Sequence, residues 1–311
     1  MANTEPFGVE RAAASAAPVR SRFVPLARDL LTLTKPRITA LVLLTSAAGM
    51  RLAPGHVGER RLLLSLVGTA LIVASANALN MWWERDVDAL MTRTRNRPLP
   101  SGRMSAEVAL SFGLGLALVS APMLFGVNAA SGLLGLIALV SYVFVYTPLK
   151  RHTHLALLVG AVPGAIPPLL GWSTVTGTAG TGGLLLFAVL FLWQVPHFAA
   201  ISIFREEDYA RAGLQVVSVQ HGERAARQMI AVYTVLLVAA SFLFVPFGLA
   251  GRRYALVATL LDAGFLALAL RGLRARNARF DVRRWAKHVF AFSIPYLTVL
   301  LVALLADRVA P

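Results

Sequence analysis

The chain has 311 residues, 57% of them hydrophobic and 14% charged, with a mean hydropathy of +0.67. A soluble domain carries about 25% charged residues, so the composition excludes an ordinary water-soluble protein and points to one membrane-embedded domain. The net charge of +15 lies in short loops between apolar runs, which argues against a nucleic-acid partner, and the lack of cysteine excludes disulfides, iron–sulfur clusters and thiolate-bound metal or haem.

In chain order, residues 1–37 carry Arg11, Arg20, Arg22, Arg28, Lys35 and Arg37 without an uninterrupted apolar core, and read as a cytoplasmic N-terminal segment, not a cleaved signal peptide. Apolar runs follow at 38–53, 62–83, 106–127, 130–147, 155–172, 182–203, 228–250, 254–270 and 286–306. Each is long enough, or nearly so, to cross a hydrocarbon core of about 30 Å at about 1.5 Å per residue. The expected fold is therefore all-α and polytopic, with nine transmembrane helices over 38–306 and a short tail at 307–311. Pro163, Pro167 and Pro168 should bend the fifth span. Trp82, Trp83, Trp172 and Trp285 fall near span ends and read as interfacial anchors. Of the thirty Lys and Arg residues, 24 lie on one side of this arrangement and six on the other, which places the N-terminus in the cytoplasm and the C-terminus outside.

Acidic residues are scarce, and six of the fifteen form two tight groups. Glu84, Asp86 and Asp88 follow the second span in NMWWERDVDALMTRTRNRPL, and Glu206, Glu207 and Asp208 follow the sixth in FREEDYARAG. Asn80, Glu84 and Asp88 recur at i, i+4 and i+8, so on a helix they share one face, while Asp86 points elsewhere. Oxygen ligands without cysteine or paired histidines suit Mg²⁺, which takes a few carboxylates and completes its shell with water and phosphate oxygens. The bland alternative is that these acids only balance neighbouring arginines.

The neighbours favour the metal. Arg93, Arg95 and Arg97 follow the first group, Lys35 and Arg37 precede the first span, Lys150 and Arg151 follow the fourth, and Arg205 adjoins the second group. Carboxylates and guanidinium forks at the mouth of an apolar bundle suit a diphosphate with a lipid tail. Charge growing on a departing diphosphate would be stabilised there, leaving an allylic cation in a dry pocket for a second substrate to capture.

These motifs resemble the UbiA superfamily of intramembrane prenyltransferases and, within it, the protohaem IX farnesyltransferase family. LTKPRITALVLLTSAAGM, ending at Met50, opens the match, and Asn80, Glu84 and Asp88 fit the superfamily's first motif, Asn-x-x-x-Asp-x-x-x-Asp, with Glu in the middle. ERDVDALMTRTRNRPLPSGR, WQVPHF at 193–198 and IFREEDYARAG at 203–213 are similar to the haem-directed members. The resemblance implies nine spans around a central cavity and Mg²⁺-dependent transfer of farnesyl from farnesyl diphosphate to a vinyl group of haem B. It also implies a bacterial inner-membrane protein with its site on the cytoplasmic face and haem A synthase as a candidate partner. By the same resemblance Asn80, Glu84, Asp88 and Asp208 are the metal and catalytic residues, and Lys35, Arg37, Arg93, Arg97, Lys150 and Arg205 meet the diphosphate. Quinone-directed relatives read Asp-x-x-x-Asp in the second motif, whereas Arg205, Asp208 and Tyr209 stand here, which favours haem over an aromatic quinone precursor.

His197 lies well within a span, just after Pro196, and is the candidate haem contact, with helix packing as its alternative role. His152 and His154, two apart in a short loop, read as plain loop residues. Asp262 lies within the eighth span without an evident partner. A transporter is the rival from another class, but transporters place charged sites near the bilayer midplane, and here the acids gather at one surface.

Overall fold

Peptide groups in hydrocarbon must pair among themselves, so long apolar segments close their hydrogen bonds within helices. The computed structural model describes residues 23–274 and 280–309. Residues 1–22 of the expected N-terminal segment and 310–311 of the tail lie outside the described residues. Between loops the described chain is helical, with one isolated bridge pairing Ala250 and Arg308.

The order is α1 (Phe23–Leu33), α2 (Pro36–Leu52), α3 (Glu59–Trp83), α4 (Arg85–Leu90), α5 (Ala106–Phe125) and α6 (Ala129–Val140). A π-helical segment, Ser141–Tyr146, joins α6 to α7 (Thr147–Leu149) as one continuous helix. Then come α8 (Ala156–Thr176), α9 (Thr181–Phe204), α10 (Glu206–Arg211), α11 (Val217–Phe242), α12 (Arg252–Arg274) and α13 (Val282–Ala306). Among the described residues eight helices are long and apolar enough to cross a membrane. The ninth member of the bundle, α2, has 17 residues, or about 26 Å, a little short of a full hydrocarbon core.

Helix α3 packs on α5, α8 on α2 and α9, and α9 on α11 and α13. Lipid gives helices little hydrophobic reason to associate, so close approach through small residues matters. Gly49 and Gly171 provide it between α2 and α8: a Cβ would stand 2.0 Å from the Pro168 carbonyl oxygen at the first and 1.9 Å from that of Ser46 at the second. The outer face is apolar and bare, with Leu118 78% exposed, as a lipid-facing leucine should be. The three prolines leave α8 unbroken from Ala156 to Thr176.

Two expectations change. Trp172 and Trp285 are buried, not interfacial: Trp172 packs where Gly180, Gly182 and Gly183 leave room, and Trp285 packs against Gly272 while its indole donates to the Leu268 carbonyl at 2.9 Å. Asp262 has partners that sequence spacing hides, because Tyr296 Oη and Ser241 Oγ donate to its two oxygens at 2.6 and 2.7 Å.

Candidate active site

At one end of the bundle, α3 stops at Trp83. Glu84 leaves helical geometry at φ −92°, ψ 8°, and α4 starts at Arg85. The helical ladder nevertheless carries across the joint, with Glu84 N–H donating to Asn80 O at 2.9 Å and Asp88 N–H to Glu84 O at 2.8 Å. The i, i+4, i+8 spacing thus survives a bend that the sequence does not announce.

Each carboxylate has a cation. Lys150 Nζ lies 2.6 Å from Glu84 Oε1, and Arg97 Nη1 donates to Asp88 Oδ2 at 2.6 Å. Asn80 donates to Glu84 Oε2 at 2.9 Å and to Thr147 Oγ1 at 3.0 Å. Thr147 in turn gives both its backbone N–H and its hydroxyl to the Tyr142 carbonyl, which closes the π-helical segment. Pro148 has no N–H to return to the preceding turn, a physical reason for the wider turn there. Glu84, Asp88 and Asn80 are all buried, and Thr94 Oγ1 ties the following loop back to the Asp88 carbonyl at 2.8 Å.

These groups line one cavity of ≈ 430 Å³. Lys35, Asn80, Glu84, Asp88, Arg93, Arg97 and Lys150 form its polar end, and Ile38, Val42, Ile72, Leu139, Pro163 and Pro167 are among its apolar walls. Lys35 is the one described non-glycine residue with positive φ, at 48°, a strained state of the kind that collects at functional sites. Its ammonium is pushed down to about 7 by burial and then by Arg97 and Lys150, against the pull of Glu84 and Asp88.

Four expected site residues stand apart from this lining. Arg37 is exposed. Asp208 is bound to Arg211 and lies 3.9 Å from Arg205. Burial acts to raise its carboxyl, but hydrogen bonds involving Arg211 and Thr92 outweigh this and hold it below the usual carboxylate range. His197 sits on the α9–α13 seam, its Nδ1 2.7 Å from Ser293 Oγ and its ring stacked on Trp193.

Conversely, Tyr142, Tyr146, Tyr209 and Gln194 line the cavity without having been singled out. Lys150 lies over the Tyr146 ring at 4.6 Å, and burial raises the Tyr209 phenol against the opposing pull of Arg93, Lys150 and Arg205. The one signal available for the first pair was a proline two residues past Tyr146 in SYVFVYTPLK.

The donor set fits a hard cation. No group of three His, Cys, Asp or Glu among the described residues could hold a metal by itself. Glu84 and Asp88 with the Asn80 amide form an oxygen set that needs water and substrate oxygens to complete a shell, which is how Mg²⁺ is usually held.

A model of the UbiA prenyltransferase family matches residues 42–294. A protein named protoheme IX farnesyltransferase from Myxococcus xanthus is 50% identical over 91% of this chain and 96% of its own length. One of the same name from Sorangium cellulosum is 54% identical over 80% of this chain and 88% of its own. Among solved structures, a digeranylgeranylglyceryl phosphate synthase superposes with a TM-score of 0.77 at 17% identity, covering 91% of this chain and 98% of its own. A UbiA homologue from Archaeoglobus fulgidus, bound to GPP and Mg²⁺, superposes at 0.60 and 16% identity, covering 92% of this chain and all of its own.

Proposed function

The chain belongs to the UbiA prenyltransferase family, and from that premise we propose that it transfers the farnesyl group of farnesyl diphosphate to a vinyl group of haem B, giving haem O and releasing diphosphate. The observation that carries this is the cavity's polarity, with buried carboxylates and four cations at one end and an apolar channel leading away from them. A diphosphate head and an isoprenoid tail demand that pairing.

Glu84 and Asp88, with Asn80, hold Mg²⁺ here, and Lys35, Arg93, Arg97 and Lys150 receive the diphosphate oxygens. When bound, Mg²⁺ supplies positive charge that offsets the charge gathering on the leaving diphosphate. The carbon–oxygen bond of the donor breaks with its electron pair going to diphosphate. Lys150 and Arg97, kept at the cavity's polar end by Glu84 and Asp88, are the cations placed to turn toward that charge. The Tyr142 and Tyr146 rings, with centroids 5.4 Å apart, present π surface to the allylic cation. The vinyl group attacks that cation, and the positive carbon left beside the macrocycle takes up water and sheds a proton, which leaves a hydroxyl. Arg37, Arg205 and Asp208 form an outer rim on the substrate's path.

The loop bias of 24 basic residues to six supports a bacterial inner-membrane orientation with the N-terminus and the cavity's polar end in the cytoplasm and the C-terminus outside. The product then passes within the bilayer to an enzyme of the haem A synthase type. The test is to incubate the detergent-purified protein with haem B, farnesyl diphosphate and Mg²⁺ and to seek a hydroxyethylfarnesyl haem by mass spectrometry. Its appearance, and its loss on chelation, bear the reading out. Prenylation of an aromatic quinone precursor in place of haem would keep donor and fold and overturn the acceptor.

A further inference from the structure

A haem acceptor offers its iron for an axial ligand, and one imidazole, that of His154, is among the residues lining the donor cavity. It stands in the loop between α7 and α8, four residues past Lys150. Its partners come from far along the chain, Gln220 and His221 near the start of α11.

The His154 backbone N–H donates to Gln220 Oε1 at 3.0 Å, which fixes the oxygen of that amide, and not its nitrogen, toward the loop. The same oxygen lies 2.8 Å from His154 Nδ1. An amide oxygen only accepts, so Nδ1 carries the ring proton and donates it, and Nε2 keeps an unprotonated lone pair. His221 Nε2 approaches the same Nδ1 at 3.1 Å, and the two rings meet edge to face at 4.4 Å. Gly222 follows at φ 78°, ψ 172°, a region essentially reserved for glycine, so the chain can turn sharply directly after His221. Gln215 N–H donates to the Lys150 carbonyl at 2.9 Å, tying the α10–α11 connection to the loop that bears His154.

A histidine whose Nδ1–H is held by an oxygen acceptor, with Nε2 left open, is the arrangement that orients metal-ligating imidazoles. We infer that His154 is the axial ligand seating the haem iron at the loop end of the donor cavity, with Gln220 fixing its tautomer and His221 its ring. This rests on the haem reading above. His197 also has its Nδ1 on an oxygen, that of Ser293, but it stands outside the cavity lining, with its ring packed on Trp193 and Phe290 at 4.8 and 4.7 Å.

The experiment is an absorption titration of haem B into purified wild-type protein, H154A and H197A, with Mg²⁺–farnesyl diphosphate binding measured on each as a check of folding. Wild type should show the Soret band of a histidine-ligated haem. H154A should lose that band and bind haem about tenfold or more weakly, the scale on which metal affinity responds to its ligand shell, and added imidazole should restore band and turnover. H154N repeats the test should H154A not fold. Retention of the wild-type band and affinity in the His154 variants, or loss of the band in H197A alone, overturns the inference. A wild-type protein that gives neither a Soret change nor a farnesylated haem overturns the haem reading itself.

Discussion

Glu84 and Asp88 at one end of the bundle and Asp262 within it are all nearly inaccessible, at 8, 1 and 2% exposure, yet their surroundings differ in kind. The first two face a cavity and are held by Lys150 and Arg97, charges that a metal and a diphosphate can draw away. Asp262 is closed in by the hydroxyls of Ser241 and Tyr296, while Tyr254 Oη donates to the Ser241 carbonyl at 2.8 Å behind them. An acid within a membrane protein is a functional candidate by default. The contrast shows what separates the two cases: an adjoining cavity, and cationic partners that a ligand can recruit.

The sharpest way to break that contrast is to remove one acid from each region. Asp88→Ala should lower farnesyl transfer by more than about 100-fold, beyond the range seen for groups that merely support a metal ligand. Its thermal midpoint in detergent should fall less than that of Asp262→Ala, since no apolar contact is lost and Arg97, left without its partner, faces a cavity that water can enter. Asp262→Ala should do the reverse. It leaves the Tyr296 and Ser241 hydroxyls without their acceptor, and interhelical hydrogen bonds in membranes contribute about 0.6 to 1.7 kcal/mol each. A stability loss of about 1–3 kcal/mol is expected, read by denaturant or thermal unfolding, with turnover per folded molecule retained. Unchanged stability with abolished turnover in Asp262→Ala would erase the distinction.

The cavity's apolar half allows a finer test. A Cβ at Gly164 would stand 2.0 Å from Gln194 Oε1, and Gln194 is tethered through Nε2 to the carbonyls of Ala161 and Leu190 at 3.2 and 3.1 Å. Both residues line the cavity, so Gly164→Ala forces the amide to move and reshapes the space offered to the isoprenoid. The ratio of kcat/KM for farnesyl over geranyl diphosphate should fall by about tenfold, the discrimination carried by roughly one methylene in an apolar pocket. An unchanged ratio would show that the tail does not pass this wall.

Much of this layout was legible because lipid imposes a simple grammar. Nine apolar runs gave the bundle, and the spacing of Asn80, Glu84 and Asp88 gave one face of the polar end. What escaped depends on pairings distant in sequence or on local backbone departures. Asn80 reaches Thr147 across 67 positions, and Asp262 reaches Tyr296 across 34. The break at Glu84 and the π-helical segment that brings Tyr142 and Tyr146 to the cavity leave no periodic mark. Helix α1 was hidden because Arg28 and Asp29 interrupt its apolar residues; in the fold Asp29 pairs with Arg103 at 3.2 Å. His154 read as a loop residue because nothing local shows that Gln220 and His221 come back to meet it.

The smallest effect separates the cavity from its rim. Asp208 belongs to the second acidic group, and by pattern it ranks with Asp88. Its bonds, however, run to Arg211, Arg205 and the Thr92 region, and Arg211 and Arg205 are 60% and 50% exposed. Pairs of that kind contribute about 0.2–1 kcal/mol, screened by salt. Asp208→Asn keeps the shape and removes the charge, so transfer should change by no more than about fivefold, with the difference shrinking as ionic strength rises in the same assay. A loss comparable to that of Asp88→Ala, insensitive to salt, would move Asp208 from the rim into the metal site and would mean that α10 swings inward when the donor binds.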